Sequence, residues 1–432
     1  MNKSVSSRAK TIDQVNVSLP KRHLSEKVFR SMGLISIMIS LMFLFVLFYT
    51  IVSKGYTAFQ QTFIQLEVNF DEQLLDPAGT RQRDALSAAD YSSLVKVSLS
   101  KQFPEVTNRN GKRLLYSLVS TGAAYQLRKR VMNNPALIGQ TQQIWVPADD
   151  EVDMLMKRHI LRDVPEAERR LRDVQIAWLD QLEAKEKLAL KFNTAFFTNG
   201  DSREPELAGI WGALMGSIYT LIVTLILSLP MGIATAIYLE EFAPKNKWID
   251  LIEVNINNLA AVPSIIFGLL GLAVFINFMS FPRSAPLVGG LVLAFMTLPT
   301  IIIASRGALK SVPLSIREAA LGVGASKMQT VYFHVLPLAI PGMLTGAIIG
   351  MARALGETAP LLMIGMVAFI VDIPSDILSP ATALPVQIFL WADSPERAFV
   401  ERTSAAIIVL LGFLFVMNVL AIILRKKFEH RW

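Results

Sequence analysis

An uninterrupted apolar stretch near the start of the chain constrains the fold more than any other feature. Residues 31–52 carry no charged side chain over 22 positions and are flanked by Lys27, Arg30 and Lys54. A helix needs about 20 such residues to cross the hydrocarbon core of a bilayer. A cleaved signal peptide would have a shorter apolar region followed by a small-residue cleavage site. The pattern therefore predicts an uncleaved transmembrane helix over residues 31–52.

More apolar stretches follow after a long polar gap. The chain is 52% hydrophobic and only 18% charged, which is typical of a membrane protein. We expect an all-α polytopic membrane protein with six transmembrane helices. The fifth stretch is over-long and contains Arg353, Glu357 and Pro360, so its helix ends stay open. The last five stretches cover residues 210–239, 256–279, 286–304, 338–371 and 403–424.

The distribution of basic residues predicts the orientation in the membrane. Segments on one side of the six spans carry 17 Lys and Arg residues, whereas the short loops on the other side carry only Arg283, Arg397 and Arg402. By the positive-inside rule both termini are predicted to be cytoplasmic, as a tail over residues 1–30 and a tail over residues 429–432. The net charge of +7 is therefore interpreted as a topology signal and not as a nucleic-acid-binding surface.

Residues 53–209, here called the inserted domain, differ completely from the apolar stretches around them. They contain 21 basic and 21 acidic residues and are polar enough to be exposed to water. The orientation rule places them outside, and we predict a large, mainly helical (α or α+β) periplasmic domain between the first two transmembrane helices.

Two amphipathic helices are predicted in the inserted domain between Glu151 and Asn193, separated near Val164 and Pro165. The second has an apolar stripe and charged pairs at i, i+4 spacing. We favour a solvated helix that packs on its own domain, with a coiled-coil or partner-docking helix as the alternative. The stripe is Leu171, Val174, Trp178 and Leu182, and the pairs are Glu166/Arg170, Glu168/Arg172 and Glu183/Lys187.

Catalytic, metal-binding and cofactor-binding residues are not predicted anywhere in the chain. It has no cysteine, and its four histidines, His23, His159, His334 and His430, lack the i, i+4 spacing of a helical metal site. Gly111-Lys112 is followed by Arg113 and so fails the phosphate-loop pattern for ATP. We therefore expect a protein that is not an enzyme.

The loop of residues 305–337, between the fourth and fifth spans, carries the most informative motif. Pro313 can begin a short helix that contains Glu318-Ala319-Ala320, and Gly324 can end it with a sharp turn. Small side chains let such a helix approach another surface closely. A short polar helix on the cytoplasmic face is suited to a cleft in a partner protein.

This motif resembles the EAA loop of bacterial ABC importer permeases. The order is Glu-Ala-Ala, a gap of three residues, Gly324, nine residues and then His334-Val335-Leu336-Pro337. His334 stands where the family usually has Ile. Two further segments, Asn258–Gly268 and Ala352–Pro360, resemble the PstA-type permease subunits of phosphate importers, which have a MetI-like transmembrane fold. The resemblance covers about residues 210–428, which would form a five-helix permease core.

The resemblance implies a function and a set of partners. The chain would be a bacterial inner-membrane permease subunit that forms half of a translocation path for inorganic phosphate. Its partners would be a second, PstC-like permease, a PstB-like ATPase dimer that holds ATP and Mg, and a PstS-like periplasmic binding protein. Contact with the ATPase would be made by the EAA loop, at Arg317, Glu318, Ala319, Ala320 and Gly324.

Arg353 and Glu357 are charged residues inside an apolar span. Each would cost roughly 2.5 to 3.5 kcal/mol there unless it pairs or lines a wet path. They are four residues apart and so share a helix face. Two interpretations stay open. One is a salt bridge that locks the fifth helix. The other is a path site at which Arg353 donates hydrogen bonds to phosphate and Glu357 holds Arg353 in place between passages.

Two other functions remain possible at the level of sequence. One is a permease for another oxyanion or small solute, because many importers share the EAA loop. The other is a membrane sensor with a periplasmic domain, although four further spans argue against it.

Overall fold

The computed structural model describes residues 3–77 and 79–428, with side chains from Leu19 to Lys427. The predicted tail 429–432, with His430, lies outside the described residues, as do the first two residues of the predicted tail 1–30. The chain divides into two compact units, one ending at Lys54 and the other beginning at Gly55.

Helix α1 (Lys3–Gly55) makes up the first unit. It contains the predicted span 31–52 and extends far before it, so the predicted N-terminal tail is helical from Lys3 onward. The hydroxyl groups of Ser36, Ser40 and Thr50 donate to carbonyl oxygens one turn earlier at 2.8–2.9 Å. These bonds satisfy the polar side chains within an otherwise apolar helix.

An antiparallel sheet lies at the centre of the inserted domain. Its strands are β1 (Gln60–Asn69), β2 (Thr141–Pro147) and β3 (Leu188–Phe192), in the order β2-β1-β3. Ile64, Leu66 and Val68 alternate along β1 and are fully buried, as the two-residue period of a strand requires. Leu66 lies opposite Ile144 in β2, and Ile64 lies opposite Leu188 in β3.

Short helices cover the sheet and enclose one hydrophobic core. Leu99, Leu115 and Leu127 come from three different helices and are fully buried in it. The helices are α2 (Glu72–Leu75), α3 (Arg83–Ala88), α4 (Tyr91–Gln102), α5 (Arg109–Tyr116), α6 (Gly122–Asn133), α7 (Asp150–Met156), α8 (Asp173–Ala184) and α9 (Thr194–Thr198), with 3-10 turns at Tyr56–Phe59, Pro135–Leu137 and Glu166–Glu168.

The prediction of two long amphipathic helices between Glu151 and Asn193 is wrong in extent. Helices α7 and α8 are separated by residues 157–172, and residues 188–192 form strand β3. Leu171, Trp178 and Leu182 pack into the domain's own core, whereas Val174 is 52% exposed. The stripe therefore serves the domain itself.

The predicted i, i+4 charge pairs of this segment are replaced by other partners. Arg170 contacts Glu151 and Glu396, and Glu183 contacts Arg162. The reason is that residues 169–172 precede α8 and are not helical, so the helical spacing assumed for Arg170 and Arg172 does not hold. Arg169, in the same stretch, contacts Asp173.

Residues 210–428, which belong to the second compact unit, are called the membrane core. Within the part of the chain that the structure describes, the long helices of this core and α1 give five that are apolar and long enough to span a membrane, or up to six if one bent pair is a single span. The helices are α10 (Trp211–Ile237), α11 (Lys247–Ala260), α12 (Ser264–Gly271), α13 (Pro286–Ser311), α14 (Leu314–Gly322), α15 (Lys327–Thr330), α16 (Leu336–Gly356), α17 (Ala359–Met363), α18 (Leu384–Ala392) and α19 (Ala398–Phe428), with π-helical turns at Tyr238–Phe242, Leu272–Phe278 and Val331–Val335.

Two predicted spans are broken in the structure. The span predicted over residues 256–279 is not straight: α11 and the segment beginning with α12 meet at a bend of 98°. Pro263 lies at the break, where it disfavours helical backbone at Val262 and cannot donate an N–H. The span predicted over residues 338–371 ends at Gly356, because Glu357 has an extended backbone with ψ 120°.

Close helix contacts hold the membrane core together through small residues. A Cβ atom added to Gly290 of α13 would lie 2.5 Å from Val223 of α10, and one added to Gly342 of α16 would lie 2.6 Å from Ala308 of α13. Helices in an apolar environment associate mainly through such packing. These glycines therefore act as contact positions between helices.

Candidate coupling helix and translocation path

Helix α14 carries the EAA motif and is called the coupling helix for the role that the resemblance implies. Its motif residues point in two directions. Glu318 and Ala319 are exposed, whereas Ala320 is buried against the rest of the core. Leu314 and Val323, at the two ends of the helix, are 71% and 86% exposed. The outward face is therefore a mixed apolar and acidic surface with small side chains at its centre.

Gly324 ends this segment in a conformation that favours glycine. Its φ is 91°, which other residues adopt only with strain. Ser326 then begins α15 with a capping box to Gln329. The turn after the coupling helix is thus specified by residues within the EAA loop itself. His334 lies further on in a π-helical turn, exposed beside Tyr332 and Phe333.

Arg317 points away from the exposed face of the coupling helix. Its guanidinium donates to Glu241 Oε1 from Nε at 3.2 Å and from Nη2 at 2.8 Å. It also donates to the carbonyl oxygens of Leu309 and Val312 at 2.9 and 2.7 Å. Arg317 therefore fastens α14 both to the end of α13 and to the π-helical end of α10, a role that the motif alone did not indicate.

A second set of ion pairs extends this attachment to α11. Arg306 of α13 approaches Glu240 at 3.4 Å and Glu253 of α11 at 2.6 Å, and Lys310 lies 3.6 Å from Glu240. Glu240 and Glu241 were missed by sequence reasoning. Two adjacent carboxylates directly after an apolar span were the available signal. The ends of α10, α11, α13 and α14 thus form one charged cluster.

Arg353 and Glu357 lie at the break between α16 and α17. Arg353 Nε is 3.5 Å from Glu357 Oε1, and their side chains are 45% and 20% exposed. Glu357 is beyond the last helical residue, so the pair is not held by a continuous helix. The geometry is a long, one-sided ion pair in which the two Nη groups of Arg353 make no hydrogen bond to any described residue.

The two helix breaks of the membrane core lie next to each other. A Cβ atom added to Gly268 of α12 would be 2.7 Å from the Cα of Pro360, the second residue of α17. Asn257 and Asn258, just before the α11 break, are exposed amides within an apolar span. Interrupted helices expose unpaired backbone groups where a membrane protein lines a wet cavity. This region is therefore the best candidate for a polar path.

Buried ion pairs fasten the inserted domain to α19. Lys157 Nζ lies 2.6 Å from Asp153 and 3.0 Å from Glu401, and these three side chains are at most 5% exposed. Asp153 also accepts the backbone N–H of Thr62 at 2.7 Å. These contacts join the domain to the first turn of α19.

Comparison with known proteins identifies the type of chain. Residues 228–432 match the family described as "Binding-protein-dependent transport system inner membrane component", and residues 16–166 match "Domain of unknown function (DUF3333)". The apolar helices and the match make the chain a multi-pass membrane protein. It belongs to the ABC transporter permeases of binding-protein-dependent systems. The resemblance inferred from the EAA loop is confirmed.

Several curated relatives match the membrane core. The probable ABC transporter permease protein YqgI of Bacillus subtilis (strain 168) is 31% identical over 51% of this chain and 79% of its own length. The phosphate transport system permease protein PstA 1 of Mycobacterium tuberculosis (strain CDC 1551 / Oshkosh) is 32% identical over 50% and 70%. PstA of Yersinia pestis is 30% identical over 51% and 74%.

Among solved structures, the inward-facing MetNI methionine ABC transporter aligns with 51% of this chain and 95% of its own chain, at 17% identity and a TM-score of 0.39.

Proposed function

We propose that the chain is a permease subunit of an ATP-driven importer for inorganic phosphate and forms half of its translocation path. The observation that carries the proposal is the coupling helix, whose outward face is exposed while Arg317 fastens its inner face to Glu241 of the α10 end. The PstA names of the relatives support phosphate as the solute.

The mechanism follows from these attachments. When a partner ATPase dimer closes on ATP, it moves the coupling helix, and the ion pairs of Arg317 and Arg306 carry that movement to α10, α13 and α11. The helix breaks beside Pro263 and Gly356 then change their relative position. ATP and Mg belong to the ATPase, and this chain contributes the moving surface. Coupling of this kind is a two-state equilibrium that both partners bias.

The topology of the proposal is that of an inner-membrane protein with both termini in the cytoplasm. The 17 basic residues of the inner segments support this orientation, and it puts the inserted domain of residues 53–209 in the periplasm. A second permease would complete the path of the five-helix core, residues 210–428. A periplasmic phosphate-binding protein would deliver the solute, and the inserted domain, fastened to α19, is placed to help dock it.

Arg353 is the proposed phosphate donor in the path. Its guanidinium is 45% exposed and only loosely paired with Glu357, so the two Nη groups can present a fork to an oxyanion. If the Arg353 guanidinium exchanged its partner between Glu357 and phosphate, the phosphate ion could enter and leave the site. A lock between two helices would instead require a short, buried pair.

The solute is tested in a reconstituted complex with both permeases, the ATPase and the binding protein. We expect phosphate with its binding protein to stimulate ATP hydrolysis and to accumulate in proteoliposomes. Sulfate and other oxyanions should do neither. Stimulation by another solute, with none by phosphate, would reject phosphate as the cargo but leave the permease function standing.

Arg353→Gln should lower phosphate uptake at least tenfold, because a fork of charged hydrogen bonds is worth about 1.5–3 kcal/mol. Arg353→Lys keeps the charge but loses the fork, and should retain part of the activity. Arg283→Gln, outside the helices, is the matched control. Normal uptake by the Gln variant in an assembled complex would leave Arg353 with a structural role.

A further inference from the structure

Basic residues of the inserted domain are concentrated in one part of it. The domain as a whole is neutral, yet residues 91–148 contain eight Lys and Arg residues and a single carboxylate, Glu105. These residues lie on three helices, and α4 packs against both α5 and α6. The basic residues are Lys96 and Lys101 on α4, Arg109, Lys112 and Arg113 on α5, and Arg128, Lys129 and Arg130 on α6.

An open cleft beside α5 is lined by residues that each carry a side-chain hydrogen-bond donor. Its volume is about 490 Å³, and its lining is Thr107, Arg109, Lys112, Arg113 and Tyr116. The three cations have i, i+3 and i+4 spacing and therefore share one face of α5. Tyr116 holds its hydroxyl in place through Ser100, at 3.0 Å.

Helix physics disfavours this arrangement in the absence of an anion. Like charges at i, i+4 destabilise a helix, and Arg109 stands in the first turn, where the helix dipole is positive. Among the residues that the structure describes, Arg109, Lys112 and Arg113 have no ion-pair partner, whereas Arg162 and Arg170 of the same domain contact carboxylates. The charge of the cleft is thus left unbalanced by the chain itself.

The cleft is built on a helix that is capped at its start and anchored in the domain core. Asn108 caps α5 by accepting the Gly111 N–H with its side-chain oxygen. The Lys112 N–H donates to the Asn108 carbonyl at 3.0 Å. Leu115, one turn further on, is fully buried in the domain core. The three cations are therefore carried by a fixed frame.

We propose that this cleft binds a phosphate group, as a second anion site separate from the path at Arg353. Two guanidinium forks, an ammonium and a hydroxyl match the oxygens of a phosphate dianion, which accepts several charged hydrogen bonds at once. The open side admits a free ion and also a phosphate carried on a lipid headgroup. The inference does not depend on which solute the path transports.

The test measures equilibrium binding of radiolabelled inorganic phosphate to the purified full-length chain in phosphatidylcholine nanodiscs. Every variant carries Arg353→Gln, so that the path does not contribute. One variant adds Arg109→Gln, Lys112→Gln and Arg113→Gln. The matched control adds Lys96→Gln, Lys101→Gln and Lys129→Gln, which removes the same charge from the neighbouring helices α4 and α6 without touching the cleft lining.

The proposal expects saturable binding that weakens at least tenfold in the cleft variant and less than twofold in the control. A second arm uses nanodiscs that contain phosphatidylglycerol. If the headgroup is the natural source, labelled phosphate should bind the unaltered cleft more weakly in these discs than in phosphatidylcholine discs, and the weak residual binding of the cleft variant should be the same in both. Free phosphate as the source predicts equal binding in both kinds of disc.

Three results would overturn the proposal. Equal weakening of phosphate binding in both variants would mean that the basic residues attract phosphate diffusely, as an adventitious ion only. Absence of saturable phosphate binding in phosphatidylcholine discs would rule the site out. So would a cleft variant that binds phosphate normally but loses affinity for an acidic partner protein. Removal of like charges should not lower the melting temperature of the variant, and this measurement checks its folding. Phosphate uptake by complexes in which Arg353 is intact tests the proposed function independently.

Discussion

Glu206, in the segment that joins the inserted domain to α10, is only 2% exposed. One carboxylate oxygen accepts from the Ser120 hydroxyl, and the other has no partner among the described residues. Burial raises the pKa of Glu206 to about 7. Burial, followed by the charges of Asp150 and Glu206, raises the pKa of Asp149 to about 8. These acids hold protons at a pH where exposed carboxylates have lost theirs.

The stability of the protein should therefore fall as the pH rises from about 4.5 to 8. The folded pKa of Glu206 lies above its ordinary value of 4.5, so in this window the folded state binds a proton that the unfolded chain has released. Glu206→Gln should flatten the dependence and raise the stability at pH 8 by up to roughly 3 kcal/mol. Asp149 and Asp150 keep titrating in the variant and leave a smaller slope.

Melting temperatures of the purified chain in detergent, measured from pH 5 to pH 8, check this prediction. Glu67→Gln, which removes an exposed carboxylate of β1, is the control and should follow the wild type. Parallel curves for Glu206→Gln and the wild type would contradict it.

At the scale of single elements, the coupling helix depends on its inner attachment as much as on its exposed motif. Arg317 has four hydrogen bonds to α10 and α13, and its side chain and that of Glu241 are only 16% and 9% exposed. Glu318 makes no such bond to any residue that the structure describes, and it is exposed. Loss of Arg317 should therefore break transmission, whereas loss of Glu318 should weaken contact with the ATPase.

Arg317→Gln and Glu241→Gln should each lower solute transported per ATP by about tenfold or more, with the ATPase still bound. The charge exchange Arg317→Glu with Glu241→Arg should restore part of the coupling, because the pair is reformed in reverse. Uptake and ATP hydrolysis measured together in proteoliposomes give the ratio. Lys245→Gln, an exposed cation nearby, is the control, and an unchanged ratio in both single variants would refute the clamp.

At the scale of the whole second unit, a buried set of ion pairs joins the inserted domain to the last apolar helix. Lys157 neutralises two carboxylates, Asp153 and Glu401, that are otherwise buried side by side. Lys157→Met leaves both charges without a partner, which costs about 3–5 kcal/mol in buried pairs. Adding Glu401→Gln removes one of those charges, so the double variant should be more stable than the single one.

Limited proteolysis and thermal melting of the full chain measure this effect. The surface pair of Arg162 with Asp180 offers the comparison, since Arg162→Gln should cost at most about 1 kcal/mol. Equal melting temperatures for Lys157→Met and Arg162→Gln would show that the domain is not fastened to α19 in this way.

Apolar runs and local motifs were the features that could be predicted from the sequence. Residues 31–52, 210–239, 286–304 and 403–424 all lie on long helices in the structure, because a charge-free run of this length has few alternatives. The short helix between Pro313 and Gly324 was also expected, since proline begins such a helix and glycine ends it.

Breaks and long-range charge pairs were not predictable in the same way. The prediction of one straight helix over 256–279 failed at Pro263, and the i, i+4 pairs around Arg170 failed because the helix they assume does not form. Hydropathy is averaged over a window of residues, so it does not predict where a helix bends. A rule for pairs along one helix does not predict an ion pair with a residue 226 positions away.

The sequence by itself determined that the chain is a multi-pass membrane protein and that it carries an EAA motif, because apolar length and motif spacing act on each segment separately. Only the tertiary structure decided that Arg317 turns inward to Glu241, that Lys157 joins the inserted domain to α19, and that the two helix breaks lie together beside Arg353. Each of these depends on which distant side chains meet after folding, and burial then sets how strongly they interact.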